Sequence, residues 1–291
     1  MSSTDVAMKA LNSAGIPLNG SEPWSIHIHD QKVWNRVISQ KQLGFAESYM
    51  EGWWDCQSLD VMLTKLLSIN VLKLLRPSPA LAYYATTSRL RNNQTKNRAQ
   101  TNASHHYNIG NDLYARMLDS EMVYSCGYWS HAESLEQAQQ AKFDLICRKL
   151  ELRAGMKLLD IGCGWGGFLR YAVKKYGVQA TGISLAENQI SWAEEKSQGL
   201  GIKFVRQDYR DLTGQFDRIV SIGMLEHIGP KNFGTFFEKC NELLTHDGQM
   251  SHDTIASNVS KQVIDPFLTA IFFRAEFRHA SFKELAGALL T

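Results

Sequence analysis

Three short stretches carry the chemistry of this sequence. "YSCGYW" (124–129) sets Cys126 among three aromatic rings, with Tyr124 and Ser125 ahead of it and a glycine behind. A cysteine so placed is open to four readings: nucleophile, metal ligand, half of a disulfide, or a small piece of pocket wall. "LLDIGCGWGG" (158–167) puts Gly162, Gly164 and Gly167 at the spacing G-x-G-x-x-G, with Asp160 two residues before the first glycine. Such a turn lets backbone approach a ligand closely, although any strand-to-helix turn favours glycine. "GMLEHIG" (223–229) offers Glu226 just past a strand-like run. A carboxylate there can be an acid, a base or a helix-capping group; His227 beside it reads as structural.

These residues need a scaffold, and strands alternate with helices from residue 134 onward. "SLEQAQQAKFDLICRKLEL" (134–152) predicts a helix: Ser134 and Gln137 have capping-box spacing, and Leu135, Ala138, Ala141, Leu145 and Leu150 make an apolar stripe. "MKLLDIGC", "QATGISL", "IKFVRQD", "DRIVSIGM" and "GQMSHDTI" read as strands. The segment from Gly166 to Tyr176, "AENQISWAEEKSQG" and "KNFGTFFEKCNELL" read as the helices between them. That alternation predicts an α/β fold, a doubly wound parallel sheet with helices on both faces. Residues 1–85 read as a separate small mixed domain of lipid-binding or dimerisation type. Within it "DVMLTKLLSINVLKLL" is helical as far as Pro77 and Pro79. Residues 86–104 form a polar linker with Arg89, Arg91, Lys96, Arg98 and no acid. It is either a solvated connection or a basic strip near anionic lipid, where each basic residue is worth about 1 kcal/mol. A second, larger domain then runs over 105–291.

The 291 residues are 44% hydrophobic, enough for one large domain or two ordinary ones. With 31 basic and 29 acidic residues the net charge is only +2, which predicts no nucleic-acid partner. Five scattered cysteines, an odd number without paired spacing, argue against a disulfide framework and against a zinc site, so no metal is expected. The first residues lack a signal-peptide layout, and no apolar run approaches the about 20 residues that span a bilayer. A soluble cytoplasmic protein that meets a membrane peripherally is the expectation.

Two details at the glycine turn point away from nicotinamide cofactors. Asp160 lies within the strand end, and no ribose-binding acid ends the next strand, which closes in Ser184 and Leu185. The D-x-G-x-G-x-G pattern resembles the first motif of the class I S-adenosylmethionine-dependent methyltransferases, with Asp160 placed to orient the cofactor's charged groups. The resemblance narrows with "AESYMEGWWDC", "SHHYNIGNDLYARMLD", "VYSCGYW", "LLDIGCGWGG", "GISLAENQ", "QDYRDL" and "FDRIVSIGMLEHIGPKN" in order. From about residue 8 to about residue 250 the chain resembles the cyclopropane-fatty-acyl-phospholipid synthases, with the mycolic acid methyltransferases as cousins.

That resemblance implies methylene transfer from S-adenosylmethionine to the double bond of a phospholipid acyl chain at a membrane surface. It implies a carbocation and a bound bicarbonate as base. It places Tyr124 and Ser125 at the cofactor's amino-acid end, and Gly162, Gly164, Ser184, Leu185 and Gln189 on the cofactor. Asp208 and Tyr209 fall near the adenine, and His106 and Tyr107 in a lid helix. Cys126 and Glu226 line the bicarbonate pocket. A thiolate would be methylated or would trap the cation, so the nucleophile reading of Cys126 falls. A small-molecule methyltransferase and a non-catalytic remnant that binds cofactor or membrane are the alternatives.

The chain departs from the family after the fifth strand. Counted from Gly248, the family's bicarbonate-holding His falls on Asp253, with His252 one place early. Alternation along a strand predicts that His252 points away from the pocket Asp253 enters, making Asp253 the third candidate catalytic residue. The family's closing hairpin strands have no counterpart in "AIFFRAEFRHASFKELAGALLT". The expectation from a truncated or frame-shifted chain is a retained cofactor loop, weak or absent cyclopropanation, marginal solubility, and an open sheet edge that invites pairing, including a homodimer.

Overall fold

The computed structural model describes residues 8–9, 11–69, 95–96, 110–258 and 280–289. Outside the described residues lie the linker 86–104 apart from 95–96, the lid residues His106 and Tyr107, Pro77 and Pro79, and the segment 259–279. The described residues fall into two units, 8–69 and the remainder.

In the first unit β1 (His27–Ile28) pairs antiparallel with β2 (Trp54–Asp55). Helices α1 (Val33–Gln40), α2 (Gln42–Met50) and α3 (Leu59–Ser68) complete it. The aromatic stretch "GFAESYMEGWWDC" shows no single period because it changes element midway: α2 ends, Gly52 turns the chain at φ +74°, and β2 begins. Trp54, fully buried, stacks on Phe45 at 4.3 Å between ring centroids and donates its indole N–H to the Phe45 carbonyl.

The second unit is built on five parallel strands, β3 (Lys157–Ile161), β4 (Gln179–Ser184), β5 (Lys203–Arg206), β6 (Phe216–Ile222) and β7 (Leu244–Asp253). Their order in the sheet is β5-β4-β3-β6-β7. The order reverses between β3 and β6, and in such sheets ligands bind outside the carboxyl ends at that reversal. Neighbouring Leu158 and Leu159 are both fully buried, one in each of two cores. The sheet is therefore covered on both faces, as parallel strands require. One face carries α5 (Leu135–Lys149), α6 (Gly167–Tyr176) and α7 (Glu187–Lys196). The other carries the one-turn α8 (Leu225–Ile228), α9 (Phe233–Leu243) and α10 (Phe282–Leu289). Helix α4 (Asn111–Met117) precedes them in the chain. Among the described residues this sheet has no closing hairpin. A separate parallel pair joins β8 (Ala256–Ser257) to β9 (Ala280–Ser281), and α10 follows with Ser281 and Glu284 bonded reciprocally in a capping box.

Helix α5 keeps part of its predicted face, with Ala138 and Leu150 buried as expected, and departs from the rest. Its buried residues are Ala138, Gln139, Lys142, Phe143, Ile146 and Cys147, so Gln139 and Lys142 are inside, and Leu135, Ala141 and Leu145 are only partly buried. The capping box there is half formed. Ser134 accepts the Gln137 N–H, but the Gln137 side chain accepts from Glu133, one residue ahead of the cap. "YSCGYW" runs against this helix: a Cβ on Gly127 would lie 2.8 Å from Ala138 Cβ, and the Tyr128 N–H donates to the Ala138 carbonyl.

Candidate functional site

The glycine turn leaves β3 at the sheet's reversal. Gly162, Gly164 and Gly166 all have left-handed backbone, at φ +88°, +53° and +80°. A Cβ on Gly162 would press on Met224 at 3.2 Å, which places the ends of β3 and β6 side by side. A Cβ on Gly164 would meet nothing within 4 Å, so the turn opens there onto free space. Trp165 anchors the loop: it is buried and donates to Asn111 Oδ1, and its carbonyl accepts from Arg170 Nη1 at 2.7 Å. Arg170 in turn holds Glu121 with two nitrogens.

Asp160 sits at the end of β3, 2% exposed, and its Oδ1 has no partner. Burial pushes its carboxyl up to about 7. Burying an acid without a partner is costly unless a ligand supplies the missing donor. A cationic amino-acid end fits this oxygen, and the open side of Gly164 fits a ligand lying along the backbone.

The neighbouring strand end is held by its own residues. Ser184 donates to Gln189 Oε1 at 2.9 Å and accepts from the Ala186 N–H; the Leu185 carbonyl accepts from Arg206. Asp208 is buried and accepts three hydrogen bonds from Arg210. Burial raises its carboxyl, but Arg210 outweighs that and holds it below the ordinary value. Tyr209 turns its ring into the α9 face, 5.3 Å from Phe236, where burial pushes its hydroxyl up to about 12. Neither Asp208 nor Tyr209 is drawn toward Cys126 and Asp253 by any described contact.

A second group gathers where β6 and β7 end. Ser125 lies beside Gly223, whose added Cβ would be 3.8 Å from Ser125 Cβ. The Gly223 N–H donates to the Asp253 carbonyl at 2.9 Å. Glu226, on α8, is 3% exposed; its Oε1 accepts the Ile255 N–H at 2.7 Å, and its Oε2 has no partner. Cys126 is exposed with a free thiol, and Tyr124 is exposed and meets Tyr114 edge to face. His252 packs its ring against Phe236 and Phe237, on the α9 side, while Asp253 faces Lys142 on α5. The alternation expected for this pair is thus present.

Lys142 is the residue that sequence reasoning missed. It is 4% exposed, and its Nζ donates to Ser125 Oγ at 2.6 Å. Burial drives it down to about 8, against the opposing charges of the Asp253 and Asp119 carboxylates. Its signal was available: Gln139, Lys142, Phe143, Ile146 and Cys147 share one helical face once polar residues are counted with apolar ones. Among the described residues, no group of three or more His, Cys, Asp or Glu could hold a metal ion, and no helix is long and apolar enough to cross a membrane.

The doubly wound sheet, the glycine turn at its reversal and the buried acid before that turn define a class I S-adenosylmethionine-dependent methyltransferase. Residues 94–277 match the family model described as mycolic acid cyclopropane synthetase, and the chain belongs to that family of S-adenosylmethionine-dependent methyltransferases. It is 42% identical to the cyclopropane-fatty-acyl-phospholipid synthase of Escherichia coli (strain K12) over 268 residues, 92% of this chain and 70% of that protein. Its fold superposes on the cyclopropane synthase MmaA2 from Mycobacterium tuberculosis with a TM-score of 0.61 at 28% identity, covering 66% of this chain and 73% of that one. The mycolic acid cyclopropane synthase CmaA1, solved with SAH and CTAB, gives 0.60 at 30% identity, covering 65% and 72%. S-adenosylmethionine is the cofactor these likenesses support. They favour neither the small-molecule methyltransferase nor the non-catalytic remnant.

Proposed function

We propose that this chain adds a methylene group from S-adenosylmethionine across the double bond of an unsaturated phospholipid acyl chain, closing a cyclopropane ring. The observation that carries this reading is the 42% identity to the E. coli synthase, extending over 92% of this chain. When bound, the cofactor supplies a sulfonium-activated methyl group. Asp160 holds its ammonium, and Gly162 and Gly164 let the backbone approach it. Tyr124 and Ser125 stand at its amino-acid end, Ser184, Leu185 and Gln189 along its length, and Asp208 and Tyr209 at the adenine. An alkene is a weak nucleophile, so the chain must hold it in line at near-attack distance. The exposed rings of Tyr124, Tyr128 and Trp129 offer faces to the acyl chain and to positive charge developing on it.

Ring closure needs a base. Bicarbonate fits Cys126, Glu226 and Asp253 poorly, because two of the three are acids and an anion set between carboxyl groups is disfavoured. Proton removal is therefore assigned to Asp253. The C–H bond of the added methyl group breaks, its electron pair closes the ring, and the proton ends on the Asp253 carboxylate. Glu226 holds the backbone at Ile255 and so fixes the strand end that presents Asp253. The test is turnover by the purified chain on vesicles of unsaturated phospholipid, read as a gain of one CH2 by mass spectrometry, in carbonate-free buffer and with bicarbonate restored. Activity indifferent to bicarbonate and lost in Asp253→Asn supports the assignment. A strict need for bicarbonate sinks the role of Asp253, and no gain of CH2 in either buffer sinks the whole reading.

A further inference from the structure

Helix α5 grips the Ser125 residue at two points. Gln139 Nε2 donates to the Ser125 carbonyl at 2.8 Å, and Lys142 Nζ donates to its hydroxyl oxygen at 2.6 Å. Both side chains are buried, at 2% and 4% exposure. The charged or titratable groups that face Lys142 are Asp253 at the end of β7, Asp119 in the loop after α4, and Cys126. Asp119 is itself occupied, accepting the Val123 N–H at 2.7 Å, so it braces the loop that leads into Tyr124.

An ammonium carries three N–H donors and no lone pair. While Lys142 is charged, Ser125 Oγ accepts from it and the hydroxyl hydrogen must turn elsewhere. A neutral amine has a lone pair and can take that hydrogen, which reverses the bond. We propose that Lys142 is a positioning residue that, as an ammonium, aims the Ser125 hydroxyl hydrogen at the carboxylate of the bound cofactor. This rests on the reading that Ser125 stands at the cofactor's amino-acid end. Burial brings Lys142 down to about 8, so the reversal falls within an ordinary working range of pH.

The test is isothermal titration of S-adenosylhomocysteine into the 291-residue chain at pH 7, 8 and 9, with Lys142→Met, Lys142→Arg and Ser125→Ala beside the wild type. The ligand's own amine titrates in this range and gives every protein a shared slope. Beyond that slope the wild type loses about tenfold in affinity from pH 7 to 9, the order of one charge-assisted hydrogen bond. Lys142→Met and Ser125→Ala bind about tenfold more weakly at pH 7 and show the shared slope alone. Lys142→Arg keeps the affinity at pH 7 and also shows the shared slope alone, because a guanidinium does not titrate there. Equal slopes in the wild type and Ser125→Ala overturn the inference; that variant keeps the lysine, so the comparison holds even where Lys142→Met does not fold. Absence of any binding by the folded wild type overturns the cofactor reading, and the inference with it.

Discussion

Replacing Asp160 by Asn tests the glycine-turn site through stability as well as binding. The carboxyl lies buried at the end of the central strand with one oxygen unpartnered, and burial raises it from 3.8 to about 7. Its folded value lies above its unfolded one. Between about pH 4 and 7 the native state therefore keeps a proton that the unfolded chain has released. Stability falls as pH rises through that window, and the penalty is complete above pH 7. The full shift corresponds to about 4 kcal/mol, an upper bound because a buried site relaxes when it ionises. Asn keeps the shape and cannot ionise, but it leaves an amide with the same lack of partners. Half of that bound, about 2 kcal/mol, is the expected gain at pH 8. In a unit of this size it raises the unfolding midpoint by about 4–8 °C. At pH 4 the two forms of the protein differ little. Scanning calorimetry at pH 4, 6 and 8, with and without S-adenosylhomocysteine, reads both consequences: the variant is more stable when empty above pH 7 and is not stabilised by ligand. The same midpoint shift at pH 4 and pH 8 would refute the buried-acid argument. Undiminished stabilisation by ligand would refute the role of Asp160 in binding.

Other substitutions probe the remaining parts of the site. Gly164→Val places a β-branched side chain at φ +53°, costing about 1–2 kcal/mol, and fills the open side of the turn, so S-adenosylhomocysteine binding should vanish; unchanged affinity in titration contradicts the assignment. Glu226→Ala removes the oxygen that holds the Ile255 N–H, frees the strand end that presents Asp253, and should lose far more turnover than Cys126→Ser, which should keep substantial activity. A covalent adduct on Cys126 during turnover, seen by intact mass, counts against this. Gly127→Ala brings a Cβ to 2.8 Å from Ala138 Cβ and should destabilise by about 1–3 kcal/mol, measured by urea unfolding, because the loop must lift off α5; a change within about 0.5 kcal/mol, the ordinary range for a surface site, would show that the loop is not pressed there.

The sheet is legible in the sequence because its signals are local. Each strand is a short run with β-branched or aliphatic residues, each following helix has its own period, and a parallel sheet covered on both faces follows from the alternation. Helix α5 is legible as a helix but not in its orientation. Counting Leu135, Ala141 and Leu145 as the inward stripe assumes that polar residues face water; Gln139 and Lys142 are inside because "YSCGYW", a stretch not adjacent in sequence, supplies the carbonyl and hydroxyl that they bond. The same limit applies to Asp160. Its spacing before the glycines marks it as a ligand residue, but its protonation depends on burial by distant side chains, which no local pattern encodes. Ser184 and Gln189 each stand out singly, and nothing in their spacing announces the hydrogen bond between them, since a loop residue's partner depends on how the following helix turns.

The end of β7 shows how register turns a one-residue difference into chemistry. His252 pairs with Ser221 and Asp253 with Ile222 across to β6, so the two side chains face opposite sides of the sheet. The imidazole packs against the rings of Phe236 and Phe237, both its nitrogens unpartnered, and burial holds its pKa below the ordinary value. The carboxylate faces Lys142. A slip of one residue would bring the imidazole to the lysine, but it would also drive the carboxylate into the aromatic face, where an unpaired charge is costly, and break the bond from Gly223 to the Asp253 carbonyl. The register therefore holds an acid, and not the neighbouring histidine, at the carboxyl edge beside Ser125 and Cys126. The charge of that acid reaches the buried Lys142, so the two form one charge arrangement. Neutralising Asp253 leaves the lysine less compensated and lowers its pKa further. Below about pH 8 the ammonium then loses an opposing charge, and Ser125 loses a donor as the lysine gives up its proton at a lower pH. A substitution at 253 consequently acts on the proton acceptor and on the cofactor end of the site together, and its effect on ring closure is separable only by measuring S-adenosylhomocysteine affinity in the same variant.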